Sequence, residues 1–266
     1  MSHSIRSSHQ YLENAGRLPI RKKNRRVVRI CKILWLGFWL CFNTLLVTGP
    51  IALSVLVTSS GKIAFQFTRL WAWLLLKMTR VRLRTAGKAH LQKNQSYIII
   101  ANHSSHYDGP ALALGLGIQF RWIAKKELLR FPLFGDCLHA SGNIFIDRSN
   151  REKAIESINE GVKRLPQGIS VMCFAEGTRS ASGQLGAFKK GGFAAAVEHG
   201  LPILPVAVVG SSQVLPKGSL TFNPGEITVA IGEPIPTAGL ALGSVDMLMQ
   251  RTREAILAGM KSARGA

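Results

Sequence analysis

Acidic residues are scarce in this chain. Fourteen Asp and Glu stand against 34 Lys and Arg in 266 residues, a formal net charge of +20. The shortage is most severe over residues 1–90, which hold one acid (Glu13) and 16 bases, whereas residues 91–266 hold 13 acids and 18 bases. The basic excess therefore flanks the most apolar part of the chain instead of forming a stripe on a folded domain. That distribution favours an anionic membrane surface as partner and argues against nucleic acid. Between Ile33 and Gly61 there is no charge of either sign. As helix this run would extend about 43 Å, against a hydrocarbon core of roughly 30 Å, which is too long for an ordinary core helix or a signal-peptide core.

Other absences narrow the chemistry. The four cysteines (Cys31, Cys41, Cys137 and Cys173) show neither a CxxC pair nor metal-ligand spacing, so reduced structural thiols of a cytoplasm-facing protein are expected, with no metal. No small-residue cleavage pattern follows the N-terminus, and there is no internal repeat. No GxSxG elbow is present, which speaks against a serine hydrolase.

What is present falls into three parts. Residues 1–32 read as a basic, disordered tail that ends in "RKKNRRVVRICK", Arg21 to Lys32. Residues 33–80 read as a membrane-associated helical hairpin or re-entrant pair. Gly49-Pro50 interrupts its first apolar run, and a second run, Ile63 to Lys77, is broken by Arg69 and carries Trp71 and Trp73 as interfacial anchors. Dense Lys and Arg on both sides predict that both chain ends lie on the cytoplasmic side of the inner membrane, with the bend at Ser59-Ser60-Gly61.

Residues 81–266 read as the catalytic domain. "SYIIIAN" (96–102), "NIFID" (143–147), "ISVMCFA" (169–175), "PILPVAVVG" (202–210) and "EITVAIG" (226–232) have strand texture. Residues 151–165, 191–199 and 245–262 have helical texture. This alternation predicts an α/β fold, a largely parallel sheet flanked by helices.

"NHSSHYD" (Asn102 to Asp108) opens at the exit of a buried strand. His103 and Asp108 are five residues apart, a spacing that places them on one face of neither a helix nor a strand. They meet only if the chain turns between them. The aspartate would then hold one imidazole nitrogen and leave the other to take a proton; the plain alternative is a polar turn in which Ser105 or Asp108 caps a helix. Two further strands end in Arg148 ("GNIFIDR") and in Glu176, Gly177 and Arg179 ("FAEGTRS"). In a parallel sheet these exits share one carboxyl edge, where α/β proteins place ligands, and arginine forks suit a phosphate.

In order and spacing, "NHSSHYD", "GNIFIDR", "FAEGTRS" and "ILPVAVVG" resemble the four blocks of the 1-acylglycerol-3-phosphate acyltransferase family. One departure is Ala175, where that family usually carries proline. The resemblance implies that His103 is a general base oriented by Asp108, with His106 as its rival in the same motif. It implies that Arg148 and Arg179 hold an acceptor phosphate, that Glu176 and Gly177 shape the pocket, and that Thr178 offers a hydroxyl contact. Pro205 would be structural or part of an acyl-chain surface. The implied acceptor is a lyso-lipid, 1-acylglycerol-3-phosphate or a relative such as a lyso-ornithine lipid or another lyso-phospholipid. The co-substrate would be an acyl thioester on coenzyme A or acyl carrier protein, with no bound cofactor. A reading of another class, a non-enzymatic basic membrane tether, predicts that His103 and Asp108 are dispensable.

Overall fold

The computed structural model describes residues 18–57, 61–131, 134–147 and 149–265. Two antiparallel helices come first, α1 (Leu18–Val57) and α2 (Lys62–Met78). A seven-stranded domain follows: β1 (Val81–Ala86), β2 (Ile98–Ala101), α3 (Asp108–Gly115), β3 (Phe120–Lys125), α4 (Phe134–Ala140), β4 (Ile144–Ile146), α5 (Arg151–Lys163), β5 (Ser170–Phe174), α6 (Gly191–Glu198), β6 (Ile203–Val209), α7 (Ser211–Val214), β7 (Gly225–Ile231) and α8 (Val245–Gly265).

The strand order is β1-β7-β6-β2-β5-β3-β4. β6, β2, β5, β3 and β4 run parallel, whereas β7 pairs antiparallel with β6 and carries β1 with it. A parallel return needs a crossover long enough to span the sheet. Between β6 and β7 the only helix is the single turn of α7, so the chain doubles back instead. The expected α/β architecture with a largely parallel sheet is therefore present.

β2 lies at the centre and is buried on both faces, which is why "IIIA" is apolar without alternation. Ile98 and Ile100 join the core under α5, α6 and α8, while Ile99 and Ala101 join the core under α2 and α3. Pro205 sits buried within β6. Two strands were not apparent in the sequence. β1 is an edge strand whose outward Arg82 and Arg84 both reach Glu226 (3.7 and 3.1 Å). β3 contains Arg121, which is buried, donates to the Phe120 carbonyl at 3.0 Å and lies over the Phe65 ring. Burial pushes this guanidinium down to about 10.

The N-terminal region corrects two expectations. The tail of residues 1–32 was expected to be disordered, yet residues 18–32 belong to α1. Pro19 sits in the first turn, where its missing N–H costs nothing, and the Arg and Lys that follow are good helix formers. Gly49-Pro50 does not interrupt the apolar run, because α1 continues through it. Packing of Val47 and Ile51 on Ala64 of α2 holds the helix across the proline. The expected bend at Ser59-Ser60-Gly61 falls largely on residues 58–60, which lie outside the described residues.

α1 and α2 cross-bond in antiparallel register, Trp35 Nε1 to the Met78 carbonyl (3.3 Å) and Trp71 Nε1 to Thr44 Oγ1 (3.3 Å). α2 also packs Phe65, Ala72, Leu75 and Leu76 into the core shared with β2 and α3, so no packing boundary falls near residue 80. α1 keeps Leu34, Phe38, Leu45 and Leu53 exposed. Among the described residues its Arg26–Ser54 stretch is the one helix long and apolar enough to cross a membrane.

Candidate active site

The site is built where β2 stops. Asn102 lies beyond the strand, but its side-chain amide continues the ladder, accepting from Val208 N–H (2.7 Å) and donating to the Val208 carbonyl (2.9 Å). The backbone is then free to turn. Residues 103–107 make that turn, and Asp108 opens α3.

The fold-back of Asp108 onto the turn is present. Asp108 Oδ2 lies 2.8 Å from His103 Nδ1 and also accepts from the backbone N–H groups of Ser104 (2.7 Å) and Ser105 (2.9 Å). Two of those three partners can only donate, so Oδ2 is an acceptor, and the geometry assigns the proton between it and the ring to Nδ1. In the neutral ring this tautomer leaves the lone pair on Nε2. The expected polar turn is present, but the helix cap is not: Tyr107 stands at the N-cap without a side-chain bond, and the Asp108 carboxylate holds the imidazole and the amides of Ser104 and Ser105, which precede the helix. His103 has 20% side-chain exposure and Asp108 none, so a substrate can reach the histidine but not the aspartate.

The loop after β5 grips His103 by its backbone. Glu176 Oε1 accepts from His103 N–H (2.8 Å), and Ser180 N–H donates to the His103 carbonyl (2.7 Å). The other oxygen of Glu176 takes Gly186 N–H at 2.8 Å. Glu176 is thus a brace between two backbone segments, with both oxygens occupied. Gly177 turns the chain at φ +74°, donating to the Phe174 carbonyl at 2.9 Å; a Cβ there would stand 2.8 Å from Lys189. Thr178 is exposed beside it.

Phe174 was not apparent as a site residue in the sequence. Its ring stacks on His103 with centroids 3.8 Å apart and an interplanar angle of 10°, and Trp122 stacks behind it. The imidazole thus has a fixed plane as well as a fixed hydrogen bond. The signal was in "CFAEG", since the last residue of a central strand points at whatever its neighbour strand delivers. Asn102 was equally legible, as an amide at a strand exit.

His106 and Arg179 both line a cleft between α1 and the domain. Burial lowers the pKa of His106 most, and the charges of Arg179 and then His103 lower it further, against an opposing pull from Asp108. His106 therefore favours its neutral form. Burial pushes the neighbouring Tyr107 phenol up to about 12. Arg148 lies outside the described residues; its neighbour Asp147 pairs with Lys126 on the β3 side of the same edge. His103, Asp108, Glu176, Gly177, Thr178 and Arg179 thus gather around the adjacent exits of β2 and β5. A cavity of about 460 Å³ has Phe174 in its lining, together with Ile123, Ile146, Ile158 and Phe188.

Comparison with known proteins follows the same blocks. The acyltransferase family model matches residues 82–209. An uncharacterized acyltransferase of Schizosaccharomyces pombe is 34% identical over 178 residues, covering 66% of this chain and 64% of that protein. The 1-acyl-sn-glycerol-3-phosphate acyltransferase alpha of Homo sapiens is 33% identical over 178 residues, covering 66% and 63%. The chain thus spans just under two thirds of the length of these relatives. Among solved structures, the 1-acyl-sn-glycerophosphate (LPA) acyltransferase PlsC of Thermotoga maritima superposes with a TM-score of 0.70 at 25% identity, covering 86% of this chain and 96% of that one.

Proposed function

We propose, from the match of residues 82–209 to the acyltransferase family model and the likeness to 1-acyl-sn-glycerol-3-phosphate acyltransferases, that the chain transfers an acyl chain from a thioester to the free hydroxyl of 1-acylglycerol-3-phosphate, giving phosphatidic acid. The observation that carries this is the 2.8 Å contact between Asp108 Oδ2 and His103 Nδ1.

His103 Nε2 takes the proton of the acceptor hydroxyl as its oxygen attacks the thioester carbonyl. Asp108 stabilises the imidazolium that forms and keeps the ring in register. The tetrahedral intermediate collapses with cleavage of the carbon–sulfur bond, and His103 returns its proton to the departing thiolate. Coenzyme A or acyl carrier protein would carry the donor, and the residues named here need no metal or bound cofactor for these steps.

Arg179 has the position and chemistry to take the acceptor phosphate, in the wall of the cleft near His106. Arg179→Ala is expected to raise the KM for the lyso-lipid more than that for the thioester, with poor rescue by lysine, which lacks the planar fork. The reading itself is tested by offering the purified enzyme a panel of lyso-lipids with one labelled acyl thioester. Preferred transfer to a lyso-ornithine lipid or another lyso-phospholipid would overturn the assigned acceptor while leaving the chemistry intact.

The acceptor resides in a bilayer, and the exposed apolar face of α1 fits embedding there, aided by anionic lipid around the basic segments. Lys62, Arg69, Lys77, Arg80, Arg82, Arg84 and Lys88 follow α1 with no acid among them, so translocating them is unfavourable. Both chain ends are accordingly expected on the cytoplasmic face. Cysteines introduced at positions 10 and 260 should then label alike in intact cells, and opposite accessibility would establish a single span instead.

A further inference from the structure

We propose that the cleft between α1 and the catalytic domain holds the acyl chain that the acceptor already carries, so that α1 is a wall of the acceptor site. The proposal rests on the lyso-lipid reading above and names where that substrate's apolar part lies.

The cleft has a volume of about 910 Å³, within the range of roughly 300–1,000 Å³ typical of small-molecule sites. Its walls come from elements far apart in sequence. α1 contributes Leu36, Leu40 and Thr44, spaced four residues apart along one stripe, and α2 contributes Trp71 and Leu75. From Leu36 to Leu45 the α1 wall runs about 14 Å at the helical rise.

Its lining is of two kinds. Arg179 and, three residues beyond the proposed base, His106 are polar and interact with one another. Most of the remaining wall is apolar and includes the exposed Leu45, Phe131 and Leu220. A single-chain amphiphile with an anionic head complements that layout. Its phosphate would meet Arg179 beside the His103 turn, and its chain would run along α1. The exposed apolar residues would let the chain enter sideways from a bilayer without crossing water.

The cavity walled by Ile123, Ile146 and Ile158 does not compete for this chain. Those residues belong to the core on one face of the sheet, whereas Leu75, Tyr107 and Leu215 of the cleft belong to the core on the other. The chains of two substrates thus have separate places on opposite faces of the sheet.

The test compares 1-oleoyl and 1-hexanoyl glycerol-3-phosphate as acceptors at a fixed donor. The wild type must first acylate the oleoyl acceptor; if it acylates no lyso-lipid, the premise falls and the proposal with it. Leu40→Trp, at a partly exposed wall position, is expected to lower kcat/KM for the oleoyl acceptor about tenfold, the equivalent of displacing roughly two methylenes from apolar contact. The hexanoyl acceptor and the donor chain-length profile should be unchanged. Leu46→Trp, exposed on α1 but outside the cleft, serves as the control and should change neither acceptor. Equal loss with both acceptors, a shifted donor profile, or no change would each overturn the proposal. Should Leu40→Trp fail to fold, Leu40→Ala replaces it; the oleoyl-to-hexanoyl preference must then drop severalfold, and an unchanged preference overturns the assignment.

Discussion

His103→Ala is expected to abolish nearly all acyl transfer while leaving the fold in place. Positioned general-base catalysis contributes about 10²–10⁴-fold, and His103 is the imidazole of the turn that bonds the Asp108 carboxylate. The variant removes one donor from Asp108 Oδ2 but leaves the Ser104 and Ser105 amides bound to it. The main-chain bonds from His103 to Glu176 and Ser180 are also kept, since they involve only the backbone. Thermal melting should therefore stay near the wild type as turnover collapses. His106→Ala is the paired experiment. His106 has no contact with the Asp108 carboxylate comparable to the 2.8 Å bond of His103, so its loss should affect acceptor binding and not the proton transfer. Near-normal turnover in His103→Ala together with a dead His106→Ala would reverse the assignment. Normal turnover in both would favour the tether reading.

Asp108→Asn should reduce kcat by as much as ~10⁴, the scale seen when an orienting carboxylate is replaced by an amide. Shape is nearly conserved, and the amide oxygen can still accept from Ser104 and Ser105 N–H. What disappears is the negative charge that stabilises the imidazolium once His103 has taken its proton. The amide nitrogen would occupy the place of Oδ1, which is buried and has no partner among the described residues. An unsatisfied buried donor there costs about 1–3 kcal/mol, so a lower melting temperature is expected as well. Asp108→Ala separates the two effects. It also strips the turn of its acceptor, so it should be the less stable variant of the two, with activity no higher. An Asp108→Asn enzyme that keeps kcat within a factor of a few would mean that the carboxylate serves only to tie down the amides of the turn.

The turn that carries these predictions was legible because its parts are local. A continuous apolar run announces a central parallel strand, a histidine follows at its exit, and an aspartate stands where a helix must begin. Hydrogen bonds that close within six residues depend little on the remainder of the fold. The strands at the domain centre were legible for a related reason, since burial on both faces leaves no room for charged residues in β2, β5 or β6. The length and lack of charge of residues 33–57 marked that part of α1 as apolar helix in the same way.

Legibility ended where residues were chosen for neighbours distant in sequence. β1 and β3 carry arginines, one set exposed along an edge and the other buried under α2, so neither shows an apolar pattern. α1 passes through Gly49-Pro50 because α2 packs against it, a contact that outweighs local helix propensity. Glu176 looks like a pocket carboxylate in sequence, yet its oxygens are spent on the amides of His103 and Gly186, 73 and 10 residues away. The stack of Phe174 on His103 requires β2 and β5 to be neighbours, and the cleft beside α1 requires three helices and four loops to converge. Composition and short-range spacing thus determined the class of the fold, the apolar helix and the histidine–aspartate pair, because each follows from burial or from a turn of a few residues. Tertiary structure alone decided which side chains brace that pair and where an amphiphile can lie beside it, because those contacts exist only once the sheet order brings remote strand ends together.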